Sequence, residues 1–204
     1  MSEPQPRARG RRRDPQIDVR VLLAAVQELA ERGIAGFSTN SVAARAGVDK
    51  RGIYARWPDR DQLVVDALGT LAAGLMPPAT GTLRTDLLAL APAVATVFTS
   101  PRREILQRCL AEARAHPEIY AGFRRESVDR CAAVVEDAFR SAQLRGESDA
   151  AADPSRAADA FLGMILTRAT LLGDGSILDE NEQRAITDFC VSAVSPAQRP
   201  HGCQ

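Results

Sequence analysis

Histidine is almost missing from this chain: 204 residues contain two, His116 beside a proline and His201 near the last residue. That scarcity removes the commonest general base and zinc ligand from nearly the whole molecule. The four cysteines, Cys109, Cys131, Cys190 and Cys203, are scattered and form no C-x-x-C pair, so neither a zinc site nor a dithiol redox pair is spelled out. Cys109 and Cys131 fall on apolar helical faces and read as buried free thiols of a reducing compartment. No Glu-x-x-His pair, serine nucleophile elbow or glycine-rich phosphate loop occurs. The chain is therefore not read as an enzyme, and no cofactor or metal is expected; a catalytic helical bundle is the remotest alternative. No apolar run approaches the length of a bilayer span, and the basic N-terminal stretch is not followed by the apolar core of a signal peptide. A cytoplasmic protein with no membrane partner is the expectation.

Lysine is scarcer still. Lys50 is the only one, against 25 arginines, and the formal net charge is zero. The balance hides an asymmetry. Residues 1–63 carry 12 basic against 8 acidic side chains, and the remainder carries 14 against 18. A local basic surplus, rather than the total, steers association with a polyanion.

The same first third holds the most informative stretch, Ser38 to Leu63. Ser38 is placed to cap a helix and leaves Thr39 and Asn40 in its exposed first turn. Val42, Ala43 and Ala46 form an apolar stripe of small residues. Gly47 supplies a left-handed turn, Val48 plugs its inside, and Asp49 caps a second helix expected from Lys50 to Trp57. That helix presents Lys50, Arg51 and Arg56 on a polar face and turns Ile53 and Trp57 inward. Pro58 stops it, and Asp59 with Gln62 has capping-box spacing for the next helix. Two short helices about a tight turn, the second one basic, make a helix-turn-helix, whose geometry is itself a DNA-binding device.

Ser38-Thr39, Val42 through Val48, Ile53-Tyr54, Arg56-Trp57-Pro58 and Leu63 together resemble the signature of the TetR family of bacterial transcriptional regulators. Glu31-Arg32-Gly33 with Gly36-Phe37 resembles that family's usual end to its first helix. The chain departs from the pattern at Arg51 and Gly52, where many members carry a small residue and then threonine. Asp59 and Arg60 replace a more usual serine and lysine. A glycine inside the recognition helix costs about 1 kcal/mol against alanine, and it leaves room for close approach of the DNA backbone.

The resemblance implies an all-α fold: an N-terminal three-helix helix-turn-helix domain, followed by a C-terminal helical bundle for ligand binding and dimerisation. Residues 1–14 form a basic arm, expected to be disordered on its own. Its Arg11, Arg12 and Arg13, with Arg7 and Arg9, read either as phosphate or minor-groove contacts or as a solubilising tail. The DNA-binding domain spans 15–58, with a first helix from Pro15 to Arg32, and the ligand and dimer domain spans 59–195. A frayed tail, 196–204, follows. DNA-contact candidates are Ser38, Thr39, Asn40, Lys50, Arg51, Gly52, Tyr54, Arg56 and Arg60 besides the arm.

Beyond Asp59 every segment reads as helix. A linking helix carries Leu63, Val64, Ala67, Leu68, Leu71 and Leu75, and Pro77 to Gly81 break it. The next runs from Thr82 to about Phe98, with a kink or early break at Pro92. Ser100-Pro101 starts another, and His116-Pro117 opens a long one to Arg145. Asp153-Pro154 begins a helix stopped at Gly173-Asp174-Gly175. Asp179 and Glu182 form a capping box for the last, which bears Ile186, Phe189, Cys190 and Val194.

The resemblance further implies a homodimer through the last two helices, a pseudo-palindromic double-stranded DNA operator, and an unidentified small-molecule effector that releases a repressor. Pocket candidates are Phe98, Cys109, Phe123, Cys131, Phe161 and Met164, each of which also fits plain core, and Arg168, which could bind an anionic ligand or equally pair with Asp137 or Asp159. A C-terminal domain that binds a protein partner, or a regulator that activates, remains an alternative. A cavity favours the small ligand, and a solid core under an exposed apolar patch favours the protein.

Overall fold

A computed structural model describes residues 15–72, 75–99, 102–171 and 178–196, and the regular structure among them is entirely helical. The arm with Arg11, Arg12 and Arg13, the Ser100-Pro101 start, the Gly173–Gly175 stop, and the tail bearing His201 and Cys203 lie outside the described residues.

Helix α1 is Pro15–Arg32, α2 is Thr39–Ala46 and α3 is Lys50–Tyr54. The α3 helix is shorter than the sequence implies. Its regular part ends at Tyr54, and Arg56 and Trp57 form a last turn whose N–H groups both donate to Ile53 O. Helix α4 is Arg60–Gly69, followed by a 3-10 turn, Thr70–Ala72, so the linking helix stops before Leu75. Its start also differs from the capping box. The Asp59 carboxylate accepts from Asp61 N at 3.0 Å, and the Gln62 amide turns forward to Asp66 at 2.6 Å.

Helix α5, Leu83–Val97, runs unbroken through Pro92, which sits on its exposed side. Helices α6, Arg102–Glu112, and α7, Pro117–Phe123, follow. A π-helical stretch, Arg124–Asp129, separates α7 from α8, Arg130–Leu144, where the sequence suggests one regular helix. Helices α9, Pro154–Leu171, and α10, Glu180–Val194, complete the chain. Asp179 caps α10 by accepting from Glu182 N at 2.8 Å. The Glu182 carboxylate does not return to the cap: it lies 3.6 Å from Arg168.

The apolar side chains gather into two cores. One joins α1 to α4 with residues of α6 and α7, including Ile105, Cys109, Ile119 and Phe123. The other joins α5, α8, α9 and α10 around Leu87, Phe139, Phe161 and Ile165. Leu106 of α6 packs against both. Helix α7 meets α4 at Gly122, where a Cβ would fall 2.7 Å from a methyl of Val65. Only a glycine permits that approach, so α4 and α7 are held in close register.

Burial pushes the Cys109 thiol up to about 12 and those of Cys131 and Cys190 up to about 11, and Glu112 adds to the rise at Cys109. An unfolded thiol ionises near pH 8.5, so above that pH the unfolded chain binds fewer protons than the folded one. Stability should therefore fall between about pH 9 and 11. Urea titrations across that range check this, and Cys131→Ala should flatten the decline.

Candidate nucleic-acid interface and internal cavity

The helix-turn-helix is built by local capping. Ser38 Oγ accepts from Ser41 N at 3.4 Å, and Asp49 Oδ1 accepts from Arg51 N at 2.7 Å. Between them Gly47 takes the left-handed conformation, φ 63°, that turns α2 into α3. Val42, Ala43, Ala46, Ile53 and Trp57 are buried beneath, and the Trp57 indole N–H donates to Asp66 at 2.8 Å. With that face fixed inward, Asn40, Lys50, Arg51 and Tyr54 are exposed, while Ser38, Thr39 and Gly52 are half-buried.

Two of the basic candidates turn inward instead. The Arg56 guanidinium is paired with Asp18 of α1 and donates to Gly52 O at 3.1 Å, leaving its side chain 15% exposed. It ties the end of α3 to the start of α1. Arg60 donates to the carbonyls of Ile34 and Phe37, pairs with Asp61 at 2.6 Å and lies over the Phe37 ring at 5.4 Å. It staples the α1–α2 connection to α4. The cations that remain outward on the reading helix are Lys50, 5.5 Å above the Tyr54 ring, and Arg51, which makes no ion pair with a described residue.

Gly52 has the opposite character: a Cβ there meets nothing within 4 Å. Gly52→Ala is therefore expected to stabilise the fold by about 0.5–1 kcal/mol through helix propensity alone. Operator affinity should fall in the same variant as the methyl meets the DNA. Thermal melts and binding titrations check the two effects. Unchanged affinity would show that no DNA atom comes within van der Waals reach of position 52.

Between the two cores lies a cavity of about 290 Å³. Of the pocket candidates, Phe98, Phe123 and Cys131 line it. Cys109 is buried in the core that holds the helix-turn-helix, Phe161 is buried in the other, and Met164 packs against that second core. Arg168 is on the surface beside Glu182, rather than beside Asp137 or Asp159. The walls that sequence reading missed come from second helical faces. Asp159, Leu162, Gly163 and Leu166 of α9 recur at i, i+3, i+4 and i+7, and Arg102, Leu106 and Leu110 of α6 recur every fourth residue. Those periodicities are visible in the sequence but are eclipsed by the stronger core stripe of Phe161 and Ile165.

The cavity wall and the head share side chains. Leu71 and Phe123 line the cavity and also belong to the apolar core of the helix-turn-helix. At the far end of α6, Glu112 accepts a hydrogen bond from Ala35 N, between α1 and α2, at 2.9 Å. Among the described residues no group of side chains is arranged to hold a metal ion, and no helix is long and apolar enough to cross a membrane.

Comparison with known proteins places both parts. Residues 21–67 match the family profile described as bacterial regulatory proteins, tetR family, and residues 77–189 match the tetracyclin repressor-like C-terminal domain. The DNA-binding transcriptional repressor TetR of Mycobacteroides abscessus is 29% identical over 187 residues, covering 88% of this chain and 94% of that one. The regulator AqdR of Rhodococcus erythropolis is 28% identical over 155 residues, 76% of this chain and 74% of its own. Among solved structures, the flavonoid-responsive regulator FrrA superposes with a TM-score of 0.68 at 21% identity, covering 90% of this chain and 99% of that one. A helix-turn-helix with an outward basic face, the all-helical fold behind it and the two matched profiles agree: the chain belongs to the TetR family and is a DNA-binding transcriptional regulator.

Proposed function

We propose that this regulator is a cytoplasmic, non-enzymatic homodimeric repressor released from its operator by a small molecule held in the cavity between the cores. The observation that carries the reading is the double membership of Leu71 and Phe123 in the cavity wall and in the core of the DNA-binding head. A ligand that displaces either side chain acts on the packing beneath α1 and α4, and the Glu112–Ala35 bond gives α6 a second hold on the same head. A ligand with different affinity for the two arrangements shifts their populations. The cavity favours this over a protein partner. The name of the flavonoid-responsive relative fits the same reading, and the repressor name of the M. abscessus protein fits the sign of the effect.

The dimer is assigned to α9 and α10, where Phe189 of α10 is 58% exposed and in need of a covering surface. Closed two-fold symmetry is the default for such oligomers. It brings two α3 helices to successive major grooves, with centres roughly 34–36 Å apart. Lys50 and Arg51 read base edges, Thr39 and Tyr54 hold phosphates, and Ser38 and Asn40 flank them. Operator fragments selected from genomic DNA, followed by sedimentation with and without them, test the assembly. One dimer per pseudo-palindrome is expected; a monomer at micromolar concentration that DNA does not shift would overturn it.

Arg11, Arg12 and Arg13 are assigned to phosphates beside the head. Deleting residues 1–13 should weaken binding to every sequence and flatten its salt dependence, by about 0.9 in the log–log slope for each phosphate no longer neutralised. An unchanged slope would leave the arm a solubilising tail.

A further inference from the structure

Within the cavity the chemistry is lopsided. Its walls are mostly leucine and valine, with Phe98, Cys131 and a tilted aromatic pair, Tyr120 and Phe123, whose ring centroids lie 6.5 Å apart. One polar side chain stands deep inside. Ser127 is 5% exposed, lines the cavity, and its hydroxyl has no hydrogen-bond partner among the described residues. A hydroxyl on an otherwise apolar wall is the kind of group that fixes a ligand's orientation by a hydrogen bond. Ser127 sits in the π-helical stretch, a distortion frequent at functional sites.

The two charged residues that line the cavity are opposite in sign. Arg102 at the start of α6 is half-buried and Asp159 of α9 is exposed; both line the cavity, and neither forms an ion pair with the other or with another described residue. An anionic ligand drawn to Arg102 would also meet Asp159, and a cationic one drawn to Asp159 would meet Arg102. The rest of the lining is almost wholly apolar, and against it an unpaired ion on the ligand would lose its hydration without compensation.

We propose that the effector is an uncharged, largely apolar ring compound whose single hydroxyl or carbonyl oxygen hydrogen-bonds to Ser127. The proposal rests on the cavity being the effector site, and it adds the ligand's chemical class and the residue that anchors it. Ser127 accepts from a hydroxyl or donates to a carbonyl, and Tyr120 and Phe123 offer ring faces and edges for stacking against the rest.

Three probes with one apolar body separate the classes: 4-phenylphenol, biphenyl-4-carboxylate and 4-phenylbenzylammonium, titrated calorimetrically into the full-length protein near neutral pH. The phenol is expected to bind at least about tenfold more tightly than either ion. Ser127→Ala should weaken the phenol by about three- to tenfold, the range of one hydrogen bond, without that ratio appearing for the ions. Leu162→Trp, which fills the cavity from α9, should abolish binding of all three, and a thermal melt of each variant shows that it is folded. Carboxylate or ammonium binding equal to that of the phenol, no saturable phenol binding, or a phenol affinity indifferent to both variants would overturn the proposal. DNA release is read separately, by anisotropy of a labelled operator. Phenol binding with no release would sink the release mechanism while the ligand class stands, and release by the carboxylate alone would do the reverse.

Discussion

Replacing Lys50 with alanine is expected to cost about 1–3 kcal/mol of operator affinity, relax preference at one base position, and leave the melting temperature nearly unchanged. Lys50 begins α3, is exposed, and lies over the Tyr54 ring, so its removal disturbs little in the free protein. Exposed cation–π pairs contribute only about 0.5–1 kcal/mol. Arg51→Ala should behave similarly, because its guanidinium has no ion pair among the described residues and guanine O6 and N7 suit its fork. Tyr54→Phe should instead weaken operator and scrambled DNA by a similar factor, since a phosphate contact carries no sequence information. Arg56→Ala is the internal control. That side chain is spent on Asp18 and the Gly52 carbonyl, so its loss should lower stability by about 1.5–3 kcal/mol, the range for hydrogen bonds to charged groups. Each variant is measured on operator and scrambled DNA at fixed salt, with a melt alongside. If Lys50→Ala weakens both DNAs equally, Lys50 is a phosphate anchor. If Arg56→Ala melts like the parent but loses sequence preference, the Asp18 pair opens on DNA and Arg56 reads bases after all.

What was legible in the sequence is what local chemistry decides. The caps at Ser38, Asp49 and Asp179 and the left-handed Gly47 each involve atoms within a few residues, and each forms. The distant partners of Arg56 and Arg60 were not legible, because they lie 38, 26 and 23 residues away and exist only once α1 and α4 have packed. On the sequence alone both arginines are basic residues beside a recognition helix. The π-helical stretch carries no local mark either: Arg124 to Asp129 holds no proline or glycine, and its register follows from how α7 and α8 seat on different cores. The cavity failed to show for a related reason. A void is a property of several helices together, whereas periodicity in one helix reports only that a face is apolar. Phe161 and Leu162 illustrate this: both are apolar neighbours on α9, yet one is locked into a core and the other borders open space.

That contrast yields a second large effect. Phe161 is fully buried among α5, α8, α9 and α10, so Phe161→Ala removes an aromatic side chain from close-packed surroundings. The loss should be about 3–5 kcal/mol, transfer and cavity terms together, which in a chain of this size lowers Tm by roughly 6–20 °C. Leu162→Ala only enlarges a space that already exists beside a half-buried side chain, so it should cost clearly less. The DNA-binding head has its own apolar core, to which Phe161 does not belong. Well below the melting transition the Phe161→Ala protein should therefore still bind operator, with its defect confined to stability. Calorimetric melts of both variants, with operator titrations in the cold, make the comparison. A Phe161→Ala protein that melts within a degree or two of the parent but no longer binds 4-phenylphenol would return Phe161 to the ligand site and show the cavity to be larger than the walls described above.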